Sequence, residues 1–182
     1  MARAHDLIAN GCEISVFGSG LLPDMWDARS KTEQDKYTKM WAHDEYRVVS
    51  PGADCVNDFL NVVRPTGKII DFGCGTGRAA KLMADCGLDV LLVDFTDNSR
   101  DKEAQLLPFI KKDLIKKMDI HGDYGFCTDV LEHINPFEVD DVINNIMACC
   151  PTIVRAVVHI TLSREYNTSW NSPFRDLNNI LF

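Results

Sequence analysis

The sequence predicts an α/β fold, a doubly wound and mostly parallel sheet with helices on both faces. Three observations carry this reading. Short β-branched runs alternate with amphipathic segments across most of the chain from Ser50 onward. The first such run, KIID, ends in Asp71 and opens at once into three alternate glycines, Gly73, Gly75 and Gly77. The next apolar run, LDVLLVD, ends in a second carboxylate, Asp94. Strand and helix alternating through short connections imply parallel pairing with right-handed crossovers. In such sheets ligands bind outside the carboxyl ends of the strands, where this glycine turn falls.

The elements follow in order. CEISVFGSG reads as a short strand or an ordered arm, and LLPDMWDARS has the Pro, Asp and Ser of a connecting loop. TEQDKYTKMWAHDEY reads as a helix with Thr32 at its N-cap and Tyr37, Met40 and Trp41 near one face, Tyr46 close by. Residues 1–49 are accordingly expected to form an arm and helix, and residues 50–182 the main body of a single domain. Ser50 is placed to cap a helix opening at Pro51, where proline is best tolerated. Ala53, Val56, Phe59, Leu60 and Val63 then recur at helical spacing. RPTGK turns the chain into the first strand. After the glycines a helix carries Ala79, Ala80, Leu82, Met83 and Cys86 and stops at Gly87. TDNSRDKEAQ is polar, LPFIKKD is a short third strand and YGFCTD a fourth. PFEVDDVINNIMACC places Phe137, Val139, Val142, Ile143, Ile146 and Met147 on an amphipathic helix, Pro151 ends it, and TIVRAVVHITL is the fifth strand.

Composition narrows the function. The 182 residues suit one domain, with 46% hydrophobic and 25% charged residues. The net charge of −8, from 27 acidic and 19 basic residues, offers no footprint for duplex nucleic acid, which calls for clustered Lys and Arg. KKDLIKK is the only basic concentration and reads as a solvated face more readily than as a phosphate contact. The 7 cysteines lack paired C-x-x-C spacing, so no metal site is expected, and with Asp6 and Asn10 near the start a reduced, cytoplasmic protein is expected. No window approaches the length of apolar sequence that spans a membrane.

The glycines are spaced G-x-G-x-G, so the third misses the position that the dinucleotide fingerprint requires, and no Lys-Ser/Thr pair follows to make a phosphate-cradling loop. That spacing argues against an NAD-dependent oxidoreductase. Asp94 lies at about the separation from the glycines that sets a carboxylate on a ribose diol. Together these strand ends read as a nucleoside site. From these residues the chain resembles the class I S-adenosylmethionine-dependent methyltransferases, whose first motif is an acidic residue followed by G-x-G-x-G and whose second is the acidic end of the next strand. DYGFCTDVLEHI is similar to the fourth-strand motif of small-molecule methyltransferases in that superfamily. The resemblance covers roughly residues 50–150. The combination of DFGCGTGR, VDF and CTDVLEHI is also similar to small methyltransferase-like proteins of tailed bacteriophages.

The resemblance implies a Rossmann-like fold, S-adenosylmethionine as cofactor and a specific site. Asp71, Gly73, Gly75 and Gly77, with the intervening Phe72 and Cys74, would form the turn around the methionine end. Asp94 would meet the ribose hydroxyls, Phe95 would lie beside adenine and Asp113 would meet the adenine amino group. Bland readings stand beside these: Asp71 as a turn cap and Asp113 as a surface charge. Thr128 and Asp129 would emerge from the fourth strand facing cofactor and acceptor. His133, next to Glu132, is the candidate base, because an imidazole suits proton transfer near neutrality. Such Glu-His pairs also serve structure alone. Tyr37, Trp41, Tyr46 and Arg47 stand as either a lid or simple packing. The implied function is methyl transfer to a small-molecule or modified acceptor, and the alternative is a non-catalytic cofactor-binding or scaffold protein of the same fold. No (D/N/S)PPY or Pro-Cys pair marks a DNA methylase. Class I sheets usually end in a further helix and an antiparallel hairpin, and only about twenty residues follow the fifth strand. The sheet edge is therefore expected to be shortened and covered by the N-terminal segment, by a partner or by a second copy in a homo-oligomer.

Overall fold

The computed structural model describes residues 7–9, 12–14, 23–48, 50–135, 137–150, 153–157 and 180–181. Strands β1 (Leu7–Ala9) and β2 (Cys12–Ile14) pair antiparallel in the arm. Helix α1 (Pro23–Met40) begins earlier than expected, so Thr32 lies inside it and LLPDMWDARS is largely helix, not loop. Pro23 is the reason, since proline at a first helical position gives up only an amide that would be unpaired anyway. A short helix α2 (Asp44–Arg47) carries Tyr46, and α3 (Pro51–Val63) ends at Arg64 in the left-handed conformation.

The main sheet runs β5-β4-β3-β6-β7-β8, with β3 (Ile69–Phe72), β4 (Val90–Asp94), β5 (Phe109–Lys111), β6 (Tyr124–Thr128) and β7 (Ile153–Val157) all parallel. Successive connections leave β3 toward β4 and β5 on one side and reach β6 and β7 on the other, so the strand order reverses between β3 and β6. The fold is thus the expected Rossmann-like doubly wound α/β sheet. One expectation is corrected: β8 (Ile180–Leu181) lies antiparallel against β7, pairing Leu181 with Arg155 and Ile180 with Ala156. At these positions it is the C-terminal residues, and not the N-terminal segment, that pair with β7. The chain after β7 is long enough to return one short strand, which satisfies the edge's donors and acceptors locally.

Period-two alternation divides the core between the two faces. Ile69, Val90, Leu92 and Phe126 pack under α3 and under α4 (Arg78–Asp85), against Val56, Phe59, Ala80 and Met83. Ile70, Phe72, Leu91, Val93 and Cys127 face α5 (Val139–Cys149) through Val142, Ile146 and Cys149. Leu82 on α4 is exposed at 46%, and Met147, placed with the apolar residues of the amphipathic α5, is exposed at 44%. The part of the predicted fifth strand beyond Val157 lies outside the described residues.

Candidate functional site

The same alternation that fills the core sends Asp71, Asp94 and Thr128 to one face at the carboxyl ends of β3, β4 and β6. There the chain encloses a cavity of ≈ 590 Å³. Its floor is the glycine turn after β3, and its far wall is the arm, through Tyr37 of α1, Trp41 in the turn that follows it and Tyr46 of α2.

Asp71 is 3% exposed, and its Oδ2 has no hydrogen-bond partner among the described residues. Burial, reinforced by the neighbouring Asp94 carboxylate, pushes its carboxyl up to about 7 against the pull of the Ala80 backbone N–H. Asp94 is as deeply buried but fully engaged on the protein side. Its Oδ2 accepts the Gly75 N–H at 2.9 Å, and its Oδ1 accepts the backbone N–H and the hydroxyl of Thr96, each at 2.9 Å. Burial raises its carboxyl, and those bonds from Thr96 and Gly75 pull it back.

Gly75 and Gly77 both hold left-handed backbone, with φ of 50° and 72°, but for different ends. A Cβ on Gly75 would project toward the Trp41 ring, 3.2 Å away across the cavity. One on Gly77 would strike the Ala104 Cβ at 2.6 Å, so that glycine serves the packing of the α4 entry and does not face the cavity. Phe72, expected at the cofactor, points its ring into the α5 side of the core and is fully buried there. Alternation from Asp71 already implied that, since neighbours along a strand face opposite ways.

The remaining expected residues mostly converge on the cavity. Gly73, Cys74, Phe95, Asp113, Thr128, Asp129 and His133 all line it. Asp113 is therefore not a surface charge; its Oδ1 accepts the Ile115 N–H at 3.1 Å, which sets Leu114 and Ile115 along the wall. Asp129 takes a φ of 53°, a conformation that Asp and Asn tolerate better than most residues. His133 sits exposed at the rim with its ring against Tyr37, centroids 5.6 Å apart. Desolvation lowers its imidazole below the ordinary 6.5, opposed by Asp129. Glu132, on the single 3-10 turn Leu131–His133, does not line the cavity.

Sequence reasoning missed Glu33, Glu45, Asn135 and Glu138, which also line it. Ser50 stands at the N-cap of α3, as expected, but its hydroxyl makes no capping bond and pairs instead with that of Thr76 at 2.9 Å, tying the helix entry to the glycine turn. The arm is fastened to the body. Gln34 Nε2 donates to the Phe95 carbonyl at 2.9 Å and Asn98 Nδ2 donates to the Thr38 carbonyl at 2.8 Å. Asp101 receives Arg47 on one carboxylate oxygen and Arg78 on the other, each at 2.6 Å.

A doubly wound parallel sheet with a glycine turn and buried carboxylates at its switch point defines the class, an α/β domain with its ligand cavity at the strand ends. A family model described as Methyltransferase domain matches residues 40–179, and the chain belongs to that family. Among solved structures it is similar to 1,6-didemethyltoxoflavin-N1-methyltransferase of Burkholderia thailandensis, solved with 1,6-didemethyltoxoflavin and S-adenosylhomocysteine, at 15% identity over 89% of this chain and 75% of that one, TM-score 0.65. It is similar to magnesium protoporphyrin IX methyltransferase (ChlM) from Synechocystis PCC 6803, solved with SAM, at 19% identity over 76% of this chain and 77% of that one, TM-score 0.52. The PH0226 protein from Pyrococcus horikoshii OT3 matches at 22% identity over 64% of this chain, TM-score 0.52, and this chain spans only 56% of its length. At these identities the likeness is one of fold. Among curated proteins none matches. Among the described residues no helix is long and apolar enough to cross a membrane.

Proposed function

We propose that the protein is an S-adenosylmethionine-dependent methyltransferase acting on a small-molecule acceptor. The observation that carries it is the buried, unpartnered Oδ2 of Asp71 lining the cavity beside the glycine turn, in a chain of the methyltransferase family. The residues present fit the cofactor. A carboxylate oxygen left without a donor at 3% residue exposure is the complement of an ammonium group. The Asp94 Oδ2 keeps a lone pair beyond its Gly75 bond for a ribose hydroxyl. Phe95, Leu114 and Ile115 offer the apolar slot that an adenine ring needs, with Asp113 at its edge. No lysine or arginine among the described lining residues offers a counter-charge for a phosphate, and this cofactor has none.

When bound, S-adenosylmethionine supplies an electrophilic methyl carbon on a sulfonium. The protein's part is chiefly alignment, which can account for about 7–11 kcal/mol of barrier lowering. Thr128 and Asp129 flank the space between the glycine turn and the rim, where an acceptor would be held. The arm, residues 1–49 in this reading, acts as a lid through Tyr37, Trp41 and Tyr46 and excludes water. His133 takes the acceptor's proton on an imidazole nitrogen wherever the acceptor carries one to lose.

Calorimetric titration tests the cofactor: S-adenosylmethionine should bind, NAD should not, and Gly75→Val should abolish binding. Normal binding by that variant would reduce the glycine to a turn residue. For His133, the lowered imidazole value means a neutral base at pH 7, so turnover should climb with pH along a limb below 6.5. His133→Asn should flatten that limb and slow turnover about 10²–10⁴-fold. An unchanged pH profile would remove the base role while leaving the cofactor assignment standing.

A further inference from the structure

Every Asp, Glu, Lys or Arg among the described residues lining the cavity is acidic. The arm contributes Glu33 and Glu45, and the strand ends contribute Asp71, Asp94 and Asp113. Asp129 and Glu138 complete the rim after β6. Lys36 acts on these groups: it pairs with Glu33 at 2.8 Å, lies over the Tyr37 ring at 4.9 Å and also acts on Tyr46 and His133, a single positive charge against seven carboxylates. Apolar walls with carboxylates of one sign focus field lines on whatever enters.

Aromatic rings share the mouth with them. Tyr37 meets Phe95 and His133 edge-on at 5.7 and 5.6 Å, and Trp41 meets Tyr46 at 4.7 Å. Asp129 acts electrostatically on both Tyr46 and His133, and Glu33 on both Tyr37 and His133, so carboxylates and rings surround one space. Ring faces bordered by carboxylates form the setting in which quaternary and protonated nitrogen is recognised. In the reading above Asp71, Asp94 and Asp113 belong to the cofactor, which leaves Glu33, Glu45, Asp129 and Glu138 as the carboxylates that face an acceptor. The cavity also disfavours anions on its own side chains. Burial, then Tyr46 and Glu33, raise the Tyr37 phenol well above its ordinary range, so a phenolate, carboxylate or phosphate acceptor would meet the same opposition.

We propose that the acceptor is a small nitrogen base, an amine or nitrogen heterocycle that is a cation or becomes one on methylation, held between the Tyr37, Tyr46 and His133 rings and Asp129. This rests on the methyltransferase reading above and adds the substrate class. An acceptor that enters as a protonated amine first gives one proton to His133 or to water; the nitrogen lone pair then forms the bond to the methyl carbon, the carbon–sulfur bond breaks with its electron pair left on sulfur, and the positive charge passes to nitrogen. An N–H acceptor then releases its proton to His133 or to water. The acidic wall stabilises the charge in its new position. Glu33 and Tyr37 lie before residue 40, outside the segment that the family model matches, so part of this selectivity belongs to the arm and not to the common domain.

The test uses the full chain loaded with S-adenosylhomocysteine and three probes of one shape, benzylammonium, benzyl alcohol and benzoate, titrated by calorimetry. The cation should bind about 5- to 30-fold more tightly than the alcohol, the range of ring–cation contacts, with benzoate weakest. Asp129→Asn, which keeps a residue suited to the left-handed backbone, and Glu45→Gln, on the exposed arm, should each erode the cation's advantage about 2- to 5-fold without moving the alcohol. Equal affinities, no binding by any of the three, or a preference for benzoate would overturn the proposal. Failure of S-adenosylhomocysteine to bind in the first step would overturn the cofactor reading and this proposal with it. Binding of S-adenosylhomocysteine without charge preference would overturn the substrate class alone.

Discussion

The ends of β3 and β4 carry the same residue at the same depth on the same face, and the protein treats them differently. Asp94 gives both oxygens to its own chain and so fixes the glycine turn to the β4 end through Gly75 and Thr96. Asp71 keeps Oδ2 unpartnered and its carboxyl is pushed up to about 7. One carboxylate is committed to the fold, and the other keeps an unbonded oxygen, which the proposed function gives to a ligand. Burial alone does not separate a structural acid from a binding acid; the count of donors reaching each oxygen does.

Breaking the committed member should have the largest effect. Asp94→Ala strands the Gly75 and Thr96 amides and should cost about 2–5 kcal/mol of stability in urea denaturation, along with ligand affinity. A loss of affinity with no loss of stability would mean that the turn does not depend on Asp94. Asp71→Asn should do the reverse, weakening S-adenosylmethionine binding by about 1.5–3 kcal/mol while leaving the unliganded fold at least as stable at pH 8. The pH dependence sharpens the contrast. Because folding raises the Asp71 carboxyl from 3.8 to about 7, its contribution to stability is present below about 4 and lost as pH rises through 7. Asp71→Asn should remove that part of the decline in a pH series of melts. An ammonium beside Asp71 would also lower its carboxyl again, so binding near pH 7 should release a proton, read as a buffer-dependent calorimetric heat. The smallest effect belongs to Thr96→Val, which deletes one bond to Asp94 in a site 1% exposed and should cost about 1–2 kcal/mol.

The parts of the molecule legible in the sequence are those whose signal is local. The runs ending at Asp71, Asp94 and Thr128 are β-branched or apolar and flanked by turn residues, so strand identity and the position of the site follow from the chain alone. The start of α1 is not legible, because PDMWDARSKTEQDKYTKM is mostly polar and has no apolar stripe; its bonds through Gln34 and Thr38 to the body are made across long sequence separations. Glu33, Glu45 and Asn135 enter the site only once the arm and the loop after β6 are in place. The engagement of Asp94 by Gly75 is equally invisible, since it depends on where one backbone N–H points. Phe72 is a different matter. Its orientation was available from the pleat, and the motif drew attention away from it.

The Asp101 carboxylate gives each of its oxygens to a different arginine, and the two partners lie 54 and 23 positions away along the chain. Burial raises this acid, but Arg78 and then Arg47 outweigh it and hold its carboxyl below the ordinary range. The two ion pairs close loops of unequal length, a difference of only about 0.8 kcal/mol in closure entropy. The shorter loop also belongs to the glycine turn and α4, which the β3–β4 pairing already positions. Arg47 and Arg78 thus meet on one carboxylate, which joins α2 to the start of α4 with no direct contact between the two cations' own elements being needed, and Arg78 reaches back to the Val48 carbonyl at 3.0 Å to close the circuit.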